Sequence, residues 1–590
     1  MQKTTRSAIV SFVLAVLYLF ALPAYAKYNG GTGDPCDPYQ INDPCQLNAI
    51  GTDPCDWGKH FVLTADIDLS AYTGEQFNII APDTDDIEIG FQGTAFTGSF
   101  DGNGHTVSNF TYTNIGGNII GLFGYVGDPC SYAVVKDLTL ADPCIVAEAG
   151  NYVGSVIGWL ENGIITGCGV EGGGVTGGSM IGSLVGHNAG SINNCYATGN
   201  VSGGDNANNL GGLVGESYNG IISDSHATGS VSGGVLSIDF GGLVGHNRYG
   251  SISNCYATGS VSGGNNSNNL GGLIGYNDDG SISNCYATGD ISDGDYPYYF
   301  GGLVGYNSHG NITDCYAAGS ISGGNYSYYF GGLVGYNEAG GINNCYAICS
   351  ISGRYYLGGL VGHNWAGSIS NCYVTGSISG DSSLGGLVGC NETGSISNCY
   401  ATSSVSGDNY IGGLIGWNLF GGSISNCYAT GSILGGNLAN YLGGLVGYDN
   451  NGSYISSFWN TTVDDPYPSG VGNLDPDPSG VIGETTANMQ IQSTFTDEGW
   501  DFVGEDVNGT DNTWRMCVDG IDYPKFSSQF LAGDIVCPDG VEMNDLIYLV
   551  DYWLEEDCSE IPGCPTADID ADNKITLKDF TDLAANWLLP

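Results

Sequence analysis

The densest chemistry in this sequence lies close to its end. Asp568, Asp570, Asp572, Thr576 and Asp579 put side-chain oxygens at positions 1, 3, 5, 9 and 12 of a single loop, and Lys574 offers its backbone carbonyl at position 7. Oxygen donors at that spacing wrap a hard cation of the size of calcium. Asn573 stands where such loops usually carry glycine, and Asn tolerates the left-handed geometry required there. A related stretch lies 34 residues earlier, where Asp534, Asp545, Leu546, Leu549, Trp553 and Leu554 match Asp568, Asp579, Phe580, Leu583, Trp587 and Leu588. Val536 and Pro538 fall where ligands are needed, so Asp534, Asp539, Glu542 and Asp545 make the poorer calcium loop. The apolar residues after each loop recur at helical spacing, so a helix is expected to follow both.

Catalytic groups are sparse elsewhere. A β-elimination on acidic sugars needs a cationic base, usually beside acidic calcium ligands. Between 151 and 450 the cations are Arg248 and Arg354, in different repeat copies. Asp278, Asp279, Asp290, Asp293 and Asp295 form the densest acidic group and the best place for a pair of glycosidase carboxylates. No HExxH, GxSxG or phosphate-cradling glycine loop is present. His187, His246 and His363 share one repeat position with Glu216, Tyr276, Tyr306, Tyr336, Cys390, Trp417 and Tyr448. A position that accepts such exchange within one chain reads as a coil surface or corner rather than a catalytic slot.

The 20 cysteines fall into classes. Cys195, Cys255, Cys285, Cys315, Cys345, Cys372, Cys399 and Cys427 occupy one repeat position, with Ser225 in the remaining copy. Stacked in register, their parallel Cβ vectors hold the sulfurs apart, so buried free thiols are expected. Cys36, Cys45, Cys55, Cys130 and Cys144 each follow Asp-Pro, and loop disulfides are expected there. No CxxC pairing supports zinc.

These residues are carried by an internal repeat. Gly-Gly-Leu-Val-Gly, or a close variant, begins at 154, 182, 211, 241, 271, 301, 331, 358, 385, 412 and 443, after a weaker copy at 120–124. Each core is followed by a second block, such as that at 250–260, where Ile252, Asn254 and Tyr256 alternate with Ser251, Ser253 and Cys255. A third block, Val261-Ser262-Gly263-Gly264, precedes a variable stretch. Three short strands and three turns make one coil of a parallel β-solenoid, and only stacking on neighbours buries its inner face. The steps of 27 to 31 residues confine length variation to one loop. That loop carries tyrosines at 296–299, 326–329 and 355–356, which would stack into an aromatic patch able to take sugar rings on apolar faces.

The repeat core resembles the GLUG-motif family of secreted bacterial proteins over roughly 120–457. Residues 60–69 and 98–107 resemble the lead-in of those proteins, which is similar to the first coils of pectate-lyase-like right-handed β-helices. Residues 485–489 and 499–502 resemble the segment that follows such arrays. Residues 532–589 resemble a type I dockerin, a small α-helical, EF-hand-like module. That resemblance implies bound calcium and a cohesin-type protein partner, and Cys537, Cys558 and Cys564 would brace the join between its halves. The expected fold is therefore mainly β, a parallel, right-handed β-helix of about 11 coils with an EF-hand-like dockerin domain at the C-terminus. Its expected divisions are a signal peptide at 1–26, a β-rich cap and first coils at 27–119, the solenoid at 120–457, a linker and post-repeat segment at 458–530, and the dockerin-like module at 531–590.

Charge narrows the function. Lys and Arg number 11 against 61 Asp and Glu among 590 residues, a net charge of −50. Nucleic acid and anionic membrane partners need clustered cations and are excluded. Lys3 and Arg6, the apolar run from Ala8 to Leu22 and Ala24-Tyr25-Ala26 form the expected secretory signal, with no membrane insertion after cleavage. The sequence thus points to a non-catalytic, secreted or cell-surface adhesin or scaffold that docks through its tail and offers the solenoid to a polysaccharide, a surface glycan or a protein. The alternative is a polysaccharide-degrading lyase or glycoside hydrolase within a dockerin-mediated assembly.

Overall fold

The computed structural model describes residues 27–85, 90–114, 116–462, 469–504 and 507–530. The expected signal segment and the tail at 531–590, with Asp568, Asp570, Asp572, Lys574, Thr576 and Asp579, lie outside the described residues. The chain divides into two compact units, residues 1–204 with 211–229 and residues 205–210 with 230–590.

Both units are stacks of short parallel strands, with about 12 β-solenoid turns in all. The first unit holds the Gly-Leu-Val strands Phe123–Gly127, Ile157–Thr166, Val185–Asn188 and Val214–Tyr218; the second holds the rest, from Val244–Arg248 to Val446–Asp449. The weaker sequence copy at 120–124 builds a full turn, which raises the number above the eleven expected from the stronger copies. Stacking in the first unit reaches back beyond the repeats, since Tyr39–Ile41, His60–Leu63, Ser99–Asp101 and Ala133–Lys136 pair in parallel one after another.

One coil shows why the sequence folds this way. It runs through Val244–Arg248, Ser251–Ser253, Tyr256–Ala257, Val261–Ser262 and Asn268–Gly271. The next coil lies in register, with Val244 on Ile274, Ile252 on Ile282, Tyr256 on Tyr286, Val261 on Ile291 and Leu270 on Phe300. Three strands were expected and five short segments form. The second block breaks at Asn254, whose φ of 53° is left-handed. That turn reverses the alternation, so Ile252 and Cys255 both point inward. The variable stretch also ends in a strand, whose Leu270 is buried. The glycine pair that follows is fixed by close approach. A Cβ on Gly271 would lie 1.9 Å from the Ile274 carbonyl oxygen, and one on Gly272 would lie 2.1 Å from that of Gly302.

A second column lines the interior. Asn247, Asn277, Asn307, Asn337, Asn364, Asn391 and Asn418 are fully buried. Each donates Nδ2 to the Oδ1 of the next at 2.7 to 2.9 Å, until Asp449 accepts from Asn418 at 2.8 Å. Each amide also donates to the carbonyl of a glycine just beyond its own strand. Buried polar groups persist only when paired, and here each rung pairs the one before it.

The thiols behave as the repeat position implies. Cys255, Cys285, Cys315, Cys345, Cys372, Cys399 and Cys427 are free and buried, and their sulfurs reach the backbone carbonyl two residues back at 3.0 to 3.1 Å. The expectation of loop disulfides is not met: Cys36, Cys45, Cys55, Cys130 and Cys144 are exposed and free. At three of the five Asp-Pro-Cys segments the recurrence has a local cause instead. Asp53 and Asp128 accept the N–H of Cys55 and Cys130 at 3.1 and 2.7 Å, and Asp43 caps the helix Pro44–Ile50 through the N–H of Gln46. The carboxylate and the fixed φ of proline together start a turn or a helix.

After the last coil, Ser457–Asn460 pairs in parallel with Val481–Glu484. Val471, within the stretch expected as a linker, is buried and bridges to Val446. Two short helices, Thr486–Met489 and Gln492–Thr496, and the ribbon of Trp514–Arg515 with Lys525–Phe526 complete a small aromatic core over Tyr400, Tyr428 and Phe458.

Candidate functional site

The tyrosines of the variable loop form columns, as the sequence implied. Tyr296 stacks on Tyr326 with centroids 4.9 Å apart, Tyr298 on Tyr328 at 5.1 Å, Tyr328 on Tyr355 at 4.9 Å, Tyr299 on Tyr329 at 5.3 Å and Tyr329 on Tyr356 at 4.9 Å. The patch is therefore three coils deep. Its inner side rests on Tyr306 and Tyr336, which Tyr299 meets edge to face at 5.1 and 5.2 Å. Burial raises the hydroxyl pKa of Tyr299, Tyr306, Tyr329 and Tyr336, so these phenols stay protonated and able to donate.

The backbone here is costly. Tyr296, Tyr299, Tyr326, Tyr329 and Tyr356 have φ values of 59° to 66°. Bulky residues rarely adopt this region, and each instance costs on the order of 1 kcal/mol or more. One coil earlier the same places hold Asn266 and Asn269, at φ 60° and 59°, where Asn fits with less strain. Stacking at ~0.5–1.5 kcal/mol per pair offsets the cost of tyrosine without exceeding it clearly. Leu236 and Asp239 take the same places two coils before Tyr296 and Tyr299, at φ 62° and 63°, so the turn belongs to the coil and the tyrosines are what this loop adds to it.

The arrangement corrects one sequence-based expectation. Parallel rings a single coil spacing apart turn their faces toward each other, so along a column solvent meets ring edges and hydroxyls. Faces are available only where a column begins. Tyr296, Tyr298 and Tyr299 are those first rings, because Asn266, Asn268 and Asn269 precede them; Tyr299 is half-buried, and Tyr296 and Tyr298 are 46% and 36% exposed. At the other side Arg354 lies 4.9 Å over Tyr326 and pairs with Asp381, closing that column with a cation.

A second tyrosine column follows the second block. Tyr256, Tyr286, Tyr316, Tyr346, Tyr373, Tyr400 and Tyr428 stack at 4.9 to 5.1 Å. The post-repeat core covers Tyr400 and Tyr428, which are 4% and 1% exposed. Tyr373 packs against its edge, 6.2 Å from the Phe526 ring, and Tyr346 lies beyond it; both are half-buried. Nothing in the sequence marked this asymmetry, since the covered and the half-buried rungs from 346 to 428 all carry tyrosine.

The acidic group is spent on the coils. Asp278 pairs with Arg248 at 3.2 Å, Asp290 accepts the N–H of Ser320 at 2.8 Å, and Asp295 accepts that of Asn325 at 2.8 Å. Asp279 takes a left-handed turn position. Asp293 differs: burial pushes its pKa up to about 7, and its Oδ2 has no hydrogen-bond partner. The histidine position lies within the Gly-Leu-Val strand rather than at a corner, and there His187 meets Glu216 at 2.9 Å and His363 meets Glu392 at 3.3 Å. His363 is held neutral by burial, its pKa pushed down to about 4. Among the described residues no group of three His, Cys, Asp or Glu is placed to hold a metal. Nor is any described helix long and apolar enough to cross a membrane.

Comparison with known proteins agrees with the coil. The GLUG motif matches eight times, at residues 177–202, 206–232, 237–262, 266–292, 296–322, 353–379, 380–406 and 407–434. The chain is 35% identical to halomucin of Haloquadratum walsbyi over 164 residues, which is 26% of this chain and 2% of halomucin. It is 33% identical over 163 residues to a provisionally named Gly-rich membrane protein of Evansella cellulosilytica, 26% of this chain and 17% of that protein. The chain thus spans a small part of the curated relatives it matches. A solved Bacteroides ovatus structure with a provisional immunoglobulin A1 protease name overlaps 46% of this chain and 81% of its own at a TM-score of 0.35 and 21% identity. A likeness at that level carries no argument about activity.

Proposed function

We propose that this chain is a secreted, surface-associated repeat protein whose solenoid holds a polysaccharide or surface glycan on its tyrosine patch, and whose tail docks it to a cohesin-type partner. The observation that carries the glycan reading is the set of surface tyrosines kept in left-handed backbone, with open faces at Tyr296 and Tyr298. A pyranose ring stacks on such a face while its hydroxyls meet the neighbouring phenols. The net charge of −50 favours uncharged glycans over polyanionic ones. The GLUG repeats, and relatives named as a mucin and as a membrane protein, support a place at the cell surface. Asp568, Asp570, Asp572, Lys574, Thr576 and Asp579 support the docking reading by their spacing.

Co-sedimentation of the full chain with insoluble polysaccharides tests the first part. The double variant Tyr296→Ala, Tyr298→Ala is expected to lose roughly tenfold or more in affinity. Unchanged retention would refute the patch. Release of soluble fragments in the same tubes would instead favour the depolymerising alternative. Capture of the full chain on immobilised cohesin domains tests the second part. Binding is expected with calcium, and not with chelator or with Asp568→Ala, Asp579→Ala.

A further inference from the structure

We infer a second glycan site, in the cleft between two half-buried rungs of the second tyrosine column, Tyr346 and Tyr373, and the segment 525–530, shaped for a short neutral oligosaccharide. The cavity there is about 550 Å³, walled by Tyr346 and Tyr373 on the coil side and by Phe526, Gln529 and Phe530 opposite. A second hollow of about 380 Å³ shares Asn344, Phe526 and Ser528 with the first, so the two form one groove across several coils. This deepens the glycan reading above and rests on it, but it uses other residues.

The chemistry of the groove selects the ligand. Its floor is a row of amides, Asn343, Asn344, Asn371 and Asn398, rising one coil at a time. Asn371 reaches Asn343 at 2.9 Å and Asn398 reaches Asn371 at 3.3 Å, so the amides are held in place before any ligand arrives. Amides present donor and acceptor together, which suits vicinal hydroxyls. Phe526 and Phe530 add apolar surface, and Arg515 lies 4.6 Å over the Phe530 ring and holds it. A peptide cannot add as a strand to the coil wall, because Tyr346–Ser352 is paired on both sides, with Tyr316–Ser322 and with Ser368–Ser379. The opposite wall offers only the short outer edge of Lys525–Phe526, where the Phe526 N–H is already donated to Gln529 Oε1 at 2.8 Å. Lys525 is the one cation on the wall beside Asp314 and Asp511, so the groove does not concentrate anions.

Ser528 is exposed and lines both hollows, which makes it the place to block them. The test is calorimetric titration of the full chain with neutral β-linked hexaoses and with an oligogalacturonate of equal length. Each is run on the natural chain, on Ser528→Trp and on Tyr296→Ala, Tyr298→Ala. Hydrogen exchange of the natural chain with and without sugar supplies a readout independent of any variant. The expected result is binding of a neutral hexaose, weakened roughly tenfold by Ser528→Trp, with slowed exchange at 525–530. Binding lost in the tyrosine variant but unchanged in Ser528→Trp, with no protection at 525–530, overturns the cleft and leaves the patch standing. Loss only in Ser528→Trp supports the cleft and refutes the patch. Preference for the oligogalacturonate, or no binding of any sugar, overturns the cleft.

Discussion

Gly340 and Gly341 are neighbours in sequence, and the buried amide column makes opposite demands on them. A Cβ on Gly340 would lie 2.2 Å from Asn307 Nδ2, 2.5 Å from Asn337 Oδ1 and 2.7 Å from the Gly310 carbonyl oxygen. The first two atoms are the partners of a buried 2.8 Å hydrogen bond. Neither can swing away, because Asn307 also donates to Gly310 at 3.0 Å and Asn337 to Asn364 at 2.8 Å. Gly340→Ala therefore breaks at least one buried bond, worth ~1 kcal/mol, and strands a donor and an acceptor at ~1–3 kcal/mol each. The sum is about 3–7 kcal/mol, in the range kept for damaged buried networks. A Cβ on Gly341 meets only the Oδ1 of Asn311, at 2.8 Å, on an exposed side chain. Serine holds the same place at Ser281 and Ser368, so Gly341→Ser is expected to change stability by less than about 0.5 kcal/mol. Because coils unfold partly independently, the assay is native-state hydrogen exchange read over 304–352, with urea unfolding alongside it. Equal effects of the two substitutions, or a Gly340→Ala loss below about 1 kcal/mol, would refute the amide column as a source of coil stability.

Thiol titration gives a second check: the eleven cysteines buried among the described residues should stay unlabelled in the native chain and react on denaturation, whereas Cys36, Cys45, Cys55, Cys130 and Cys144 react at once. Cys372→Ser should cost no more than about 1 kcal/mol, because Ser225 fills the same position with its hydroxyl 2.7 Å from the Ser223 carbonyl. His363, with a folded pKa of about 4, leaves the unfolded chain binding the extra proton below its ordinary pKa of about 6.5. Stability should fall as pH drops through that window and level off below it, and His363→Tyr, matching Tyr336, should flatten the dependence in urea melts. Asp293 has the opposite sign, since its folded pKa is raised to about 7. Stability should fall as pH rises from about 4 to about 7, so Asp293→Asn should raise the melting temperature at pH 8 and leave it unchanged at pH 3.

The repeat spacing sufficed for the coil, the buried thiols and the stacked loop tyrosines, because each depends only on which positions recur. The turn at Asn254 was not legible, since Asn there fits a strand pattern until its left-handed φ is known. The amide column was open to sequence reasoning: Asn recurs from 247 to 418 just after the Gly-Leu-Val core. It passes for surface Asn because burial of an amide is paid for by a partner in another coil. Ring faces against ring edges could not be read at all, since that choice depends on rotamers. The cleft was hidden for a further reason: its two walls lie about 150 residues apart in sequence and meet only because aromatic residues after the array pack on Tyr400 and Tyr428.

Register also bears on how such a chain changes over generations. Ile274 rests on Val304, Asn277 on Asn307, Ile282 on Ile312 and Tyr286 on Tyr316, so each coil meets a near copy of itself. Recombination between two copies of the coding repeat would delete or add one whole turn, and every column would close again across the junction. Copy number is then free to drift at little structural cost. The variable loop can differ from turn to turn, as Asn266 and Tyr296 already do. Selection would therefore edit what the surface displays by shuffling, losing and duplicating turns, and would seldom need to rebuild the core beneath them.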